Sequence, residues 1–236
     1  MKIITHNSSG EVIVQGTDAW KQLRVGMLTG SAIKDIIKGQ RGGYLEAREK
    51  ALHSTVWERL TQTPETGFFG GKYIKDGIER EPFARMSYEA RFGGVVEETA
   101  FVQHDWMQVG VSLDGWIPSR KRTIEIKCPK DTTHLAYLLK NQEPEEYKAQ
   151  IQAGLWITGF EVCDFISYHP AGDKLGQGLS LHVLEIPRDE AYISMLEKEA
   201  FAFLAEVNLK VREVAERESY LNAQTLRRVQ SEEVFA

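Results

Sequence analysis

The chain has 236 residues, with 29 Lys and Arg against 34 Asp and Glu, a formal net charge of −5, 42% hydrophobic and 27% charged residues. That balance excludes a disordered chain, and the length suffices to bury one sizeable core. Cys128 and Cys163 offer neither a disulfide framework nor zinc spacing, no two histidines stand at i, i+4, and no apolar run approaches the roughly 18 residues of a membrane span.

The N-terminus lacks the apolar stretch of a signal peptide, so the expectation is a cytoplasmic protein. One domain over 1–236 is expected, with a core at about 20–186 and a C-terminal helix and tail at 187–236. An acidic chain should not attract nucleic acid through its overall field. Charge is unevenly distributed, however: residues 21–50 carry seven bases and three acids, and residues 185–236 carry seven bases and 11 acids. A basic face on an acidic body and ordinary solvated helix faces both fit this asymmetry.

Along the chain, Ser31 to Lys38 places Ile33, Ile36 and Ile37 on one face, with Thr29, Gly30 and Ser31 as start signals and Gly39 as a stop. Leu45 to Leu60 and Tyr73 to Phe92 read as longer helices, and Pro82 should begin, kink or split the second. The period then changes. Val95 to Gln103, Met107 to Ser112 and Thr123 to Lys127 read as strands separated by turns. Glu143 to Thr158 returns to helical spacing, with Pro144 near its first turn and Gly159 as its stop. Strands at Val162 to Tyr168 and Leu179 to Ile186 flank a Gly-rich loop, and Glu190 to Arg217 is a long amphipathic helix. This order predicts an α/β fold, a mixed sheet flanked by helices.

The stretch from Val109 to Lys130 carries the chemistry. Asp114 ends one strand, and Glu125 and Lys127 lie two apart on another, where period two points both to one face. Two carboxylates and an ammonium at a sheet make a hard-oxygen site for Mg²⁺ or Mn²⁺, with the lysine placed to orient or help deprotonate an attacking water. About one Glu-x-Lys arises by chance in a chain of this composition, and a second copy is present at Glu146-Tyr147-Lys148. That copy sits in a predicted helix, where i and i+2 diverge. Read alone, the Asp114, Glu125 and Lys127 set is either this site or an edge-strand ion pair.

Ser112-Leu113-Asp114-Gly115 followed by Glu125-Ile126-Lys127-Cys128-Pro129 resembles the PD-(D/E)XK nucleases with their restriction-endonuclease-like core, and in particular the phage lambda exonuclease or YqaJ-type viral recombinase family. Three further elements fall in the family's order. They are Trp20, Arg24, Gly26 and Thr29-Gly30-Ser31; Gly77, Glu81, Ala84 and Arg85; and Gln150-Ile151-Gln152 with Trp156. The resemblance spans about Trp20 to Ile186.

It implies a Mg²⁺-dependent 5′→3′ exonuclease on double-stranded DNA ends that leaves 3′ overhangs for recombination by strand annealing, with Mn²⁺ as a substitute and two ions per site. Asp114, Glu125 and the carbonyl of Ile126 would bind the main ion, Glu81 a second, and Lys127 would position the water. Glu81 by itself reads equally as a solvated acid. Arg24, Thr29, Ser31, Ser112 and Gln150 would surround a 5′-phosphate, and Arg41 of the basic stretch would contact DNA. Helix capping is the plain alternative for Thr29 and Ser31. By position Ile74 would be the wedge that splits the terminal pair, and Phe68, Phe69 or Tyr73 would stack on bases or belong to the core.

The family forms a ring-shaped homotrimer and works with a single-strand annealing protein, in phage or prophage recombination. Two other classes remain: another PD-(D/E)XK endonuclease, and a non-catalytic DNA-end-binding protein on the same fold.

Overall fold

The computed structural model describes residues 1–39, 42–65, 72–175 and 178–233. The first half of the chain gives β1 (Lys2–Ile4), α1 (Asp18–Leu23), β2 (Leu28–Thr29), α2 (Ile33–Ile36), α3 (Glu46–Thr61) and α4 (Lys72–Phe92). Then come β3 (Phe101–Gln103), β4 (Val109–Val111), β5 (Gly115–Ile117) and β6 (Arg122–Lys127). The second half adds α5 (Asp131–Lys140), α6 (Glu145–Thr158), β7 (Val162–Tyr168), β8 (Leu181–Pro187) and α7 (Glu190–Glu233).

The strands form two four-stranded mixed sheets among the described residues, in the orders β1-β3-β4-β2 and β5-β6-β7-β8. The expected α/β class holds, with the strands shared between two sheets. The run from Val95 to Gln103 explains why periodicity alone could not separate them. Glu97 exchanges backbone hydrogen bonds of 2.9 and 3.0 Å with Trp116 of the second sheet, whereas Phe101–Gln103 pairs with β1 and β4 of the first. One extended segment thus crosses from sheet to sheet.

In the second sheet β6 runs parallel to β7 and antiparallel to β5, so it is an inner strand. Its Ile124 and Ile126 join Ala84 and Tyr88 of α4 in one core cluster. The opposite face belongs to the larger cluster, in which Phe165 of β7 packs with Ala149 and Ile151 of α6. Helices on both faces therefore define which side each β6 residue serves. α4 continues through Pro82. The loss of about 3 kcal/mol that an internal proline brings is offset by burial of Ala84 and Tyr88 against the sheet.

Two other differences have local causes. The isoleucine-rich helix shrinks to α2, one turn, because Leu28 and Thr29 pair with β4. α6 ends where expected, at Gly159 in the left-handed conformation (φ 69°). α7 runs to Glu233 instead of stopping near Arg217. Neither Gly nor Pro interrupts it, and its 44 residues span about 66 Å.

The first half of α7 also answers the charge asymmetry. Arg48 pairs with Glu206 at 2.8 Å and Lys38 with Glu199 at 3.7 Å. Tyr44 donates to Glu199 at 2.8 Å, and the Arg48 guanidinium lies 4.2 Å from the Tyr44 ring centre. Part of the basic surplus of 21–50 is thus engaged by the acidic C-terminal helix. No helix among the described residues is long and apolar enough to cross a membrane.

Candidate active site

Alternation along β6 decides the site. Ile124 and Ile126 turn to α4, which leaves Glu125 and Lys127 on the α6 side. There the Lys127 ammonium meets Glu125 Oε1 at 2.5 Å and lies 4.8 Å from the Tyr147 ring centre. Gln150 of α6 donates to the same Glu125 oxygen at 2.7 Å. Asp114, in the turn between β4 and β5, is tied to the same strand from the other direction, because the Ile126 N–H donates to its Oδ2 at 2.7 Å. The turn is anchored by Leu113, whose side chain reaches within 3.3 Å of where a Cβ on Gly154 would stand. The absent side chain at Gly154 thus admits a leucine.

Glu81 completes the cluster from α4. Arg85, one turn later, donates to Glu81 and to the carbonyl of Asp114, both at 3.0 Å, and pairs with Glu98 at 2.5 Å. This arginine was not among the expected site residues, although its i, i+4 spacing to Glu81 signals the pair. No sequence signal marks Tyr147, which joins Lys127 only through the packing of α6 on β6.

Negative charge exceeds positive charge here. Burial, reinforced by Asp114, pushes Glu81 up to about 7, against the opposing charge of Arg85. Burial likewise pushes Glu125 up to about 7, with Lys127 opposing and Asp114 adding to the shift. Asp114 is raised by burial as well, opposed by Lys127 and the Ile126 N–H. Burial alone would lower Lys127, but Glu125 and Asp114 outweigh it and hold the group as an ammonium. Cys128 is pushed up to about 12 by burial and then by Glu81, so it stays a thiol.

Carboxylates that retain protons near neutrality are only partly compensated by Lys127 and Arg85, and their oxygens suit a hard divalent ion. The donors that fit are Asp114, Glu125 and the main-chain oxygen of Ile126, with Glu81 beside them. Among the described residues no three His, Cys, Asp or Glu side chains stand together as a ready cage. The fit therefore depends on two carboxylates plus a main-chain carbonyl.

A second polar group lies beyond Ser112. Arg24 donates to Ser31 at 3.4 Å, and Ser31 and Thr29 hydroxyls are 3.3 Å apart. Thr29 belongs to β2, and the following helix is capped by Ala32 without a side-chain bond, so neither hydroxyl caps it. The Arg24 guanidinium sits 4.1 Å from the Trp20 ring centre. Trp20 in turn donates to Ser112 Oγ at 2.8 Å and to the Ala100 carbonyl at 3.1 Å. Trp20 thereby links Arg24 to the strand that delivers Asp114. A cavity of about 160 Å³ lies among Trp20, Arg24, Thr29 and Glu58.

Of the five residues expected around a phosphate, the structure joins Arg24, Thr29 and Ser31 directly and Ser112 through Trp20. Gln150 is bonded to Glu125 instead. Ile74 falls in the first turn of α4, and its side chain and that of Tyr73 lie outside the described residues, as do Arg41, Phe68 and Phe69.

A family model described as the YqaJ-like viral recombinase domain matches residues 19–161. An alkaline exonuclease (LHK-Exo) from Laribacter hongkongensis is similar in structure, with a TM-score of 0.77 and 30% identity over 87% of this chain and 100% of that one. The same values hold for its complex with dAMP. A phage-related exonuclease from Haemophilus somnus 129PT shares the fold, with a TM-score of 0.58 and 17% identity over 80% of this chain and 96% of that one. No curated protein sequence matches the chain significantly.

Proposed function

Because the chain belongs to the YqaJ-like viral recombinase family, we propose that it is a Mg²⁺-dependent 5′→3′ exonuclease that degrades one strand from double-stranded DNA ends. Family membership and the likeness to an alkaline exonuclease support a nuclease function at the coarser level. The observation that carries the finer reading is the convergence of Asp114, Glu125 and Lys127, in which carboxylates buried beside an ammonium remain short of positive charge.

Asp114, Glu125 and the Ile126 carbonyl hold the main ion in this proposal, with Glu81 at a second. A divalent ion there supplies Lewis-acid polarisation of the phosphodiester. Lys127 is charged, so it orients the attacking water and does not take its proton. Gln150 holds Glu125 in place, and Arg85 fixes Glu81 against the Asp114 turn. The Trp20-braced Arg24, with Thr29 and Ser31, receives the 5′-phosphate and sets the first scissile linkage over the carboxylates. Arg41 and Ile74 contact the duplex and its terminal pair.

The proposal extends to a homotrimeric ring, to Mn²⁺ in place of Mg²⁺, and to a single-strand annealing protein that takes up the 3′ overhang, in the cytoplasm of a bacterial host. The test uses linear duplexes with 5′-phosphate and 5′-hydroxyl ends and a covalently closed circle. Wild type should degrade the phosphorylated linear duplex fastest and leave the circle intact. Arg24→Ala should lose about ten- to a hundredfold on the phosphorylated end and much less on the hydroxyl end. Equal losses on both ends would remove Arg24 from end selection, and cleavage of the circle would mark an endonuclease.

A further inference from the structure

A cleft of about 690 Å³ separate from the Arg24 cavity is lined by Arg80, Glu81 and Lys127 together with Lys130, Asp131 and His169. Three of these bring donors from separate elements: Arg80 from α4, Lys130 from the β6–α5 connection and His169 from the end of β7. Arg80 makes no hydrogen bond or ion pair with a described residue, whereas its neighbour Glu81 is paired with Arg85. An arginine with no counter-ion among the described residues is suited to an anion that arrives from outside.

His169 faces the same space. The Ala171 N–H donates to its Nδ1 at 3.3 Å, so the neutral ring keeps its hydrogen on Nε2. Burial, then the positive charges of Arg80 and His134, lower its pKa, which sets Arg80 within Coulombic reach of the ring. Lys130 is also the N-cap of α5 and provides no side-chain cap, so the first-turn N–H groups are open to an acceptor. Asp131 and Glu81 are the carboxylates among its described lining, beside the cations Arg80, Lys127 and Lys130.

Gly77 gives an independent indication. It lines the cleft one helical turn before Glu81, and a Cβ built on it meets no described atom within 4 Å. Glycine inside a helix is unfavourable relative to alanine, and no packing neighbour among the described residues requires it here. The missing side chain keeps space open along the wall that carries Arg80 and Glu81.

We propose that Arg80, Lys130 and His169 bind the DNA phosphate immediately 3′ of the scissile linkage, in the channel left open by Gly77. This subsite rests on the nuclease reading above. The cleft shares no lining residue with the Arg24 cavity. A strand whose terminal phosphate occupies the Arg24 cavity passes its scissile phosphate over Asp114 and Glu125, and its next phosphate enters this cleft.

The experiment separates the subsite from turnover. Duplexes carry either a normal linkage or a single neutral methylphosphonate one step 3′ of the first scissile bond. Binding is measured in EDTA by fluorescence anisotropy, and hydrolysis in Mg²⁺ on the unmodified duplex. The methylphosphonate should weaken wild-type binding about tenfold and should cost the Arg80→Ala, Lys130→Ala double variant less than about twofold. Equal penalties in both proteins would overturn the subsite even if hydrolysis is normal. A coupled penalty without hydrolysis would support the subsite and sink the nuclease reading. Gly77→Ala should raise the melting temperature by about 2–4 °C yet weaken binding of the unmodified duplex. Unchanged binding would mean that the strand does not pass there. A free mononucleotide that competes with wild type but not with the double variant would assign the cleft to released product, against the proposal.

Discussion

The chain contains Glu-Ile-Lys on β6 and Glu-Tyr-Lys on α6, the same charges at the same spacing in two backbones. On β6 the two side chains share a face and meet at 2.5 Å, and Glu125 is pushed up to about 7 by burial. On α6 they part. Glu146 accepts from Tyr137 at 2.9 Å, while Lys148 turns to Asp189 at 3.5 Å. The strand copy also gathers Asp114 and Gln150, neither adjacent in sequence. A two-residue spacing acquires chemical meaning only from the periodicity of its backbone and from what the opposing elements bring.

The sharpest way to break this comparison is substitution at matched positions. Glu125→Ala should lower nucleotide release from linear DNA by at least about a hundredfold through loss of an ion ligand, and Lys127→Ala should do so while Mn²⁺ binding persists. Mn²⁺ titration followed by activity measurement checks both. Near-normal turnover in either variant would remove that residue from the chemistry.

A smaller effect concerns stability. Glu81 and Glu125 are raised from 4.5 to about 7, so the folded metal-free protein binds more protons than the unfolded chain in that interval. Their contribution is complete below about pH 4.5 and is lost as pH rises through about 7. In EDTA the melting temperature should carry this loss between pH 5 and 8. Mg²⁺ at about a hundred times its dissociation constant should restore about 5–10 °C at pH 8 and much less at pH 5. A Mg²⁺ effect independent of pH would contradict ion binding through these carboxylates.

The least effect belongs to the helix copy. Glu146→Gln and Lys148→Ala should each change unfolding free energy by less than about 0.5–1 kcal/mol and leave nuclease activity within about twofold, because both pairs are partly solvated. Urea denaturation and the same release assay measure this. A large loss of turnover at Lys148 would blur the distinction between the two copies.

Much of the molecule follows from local pattern. Alternation placed Glu125 and Lys127 together, the apolar stripe placed α3, and Gly159 stopped α6, since each depends on residues a few positions apart. The extent of α7 was not legible, because its apolar stripe fades while its helix-forming residues continue. The segment from Val95 to Gln103 was legible as extended but not as a crossing between sheets.

The sequence by itself determined the family elements, the strand that carries Glu125 and Lys127, and the presence of Asp114 just upstream. Tertiary structure alone decided that Gln150 would bind Glu125, that Trp20 would bond Ser112, and that α7 would engage part of the basic surplus of residues 21–50. Backbone periodicity is set by near neighbours and is written in spacing. Partners separated by 25 to 158 positions are chosen by which faces the core buries against one another, and those contacts have no local signature.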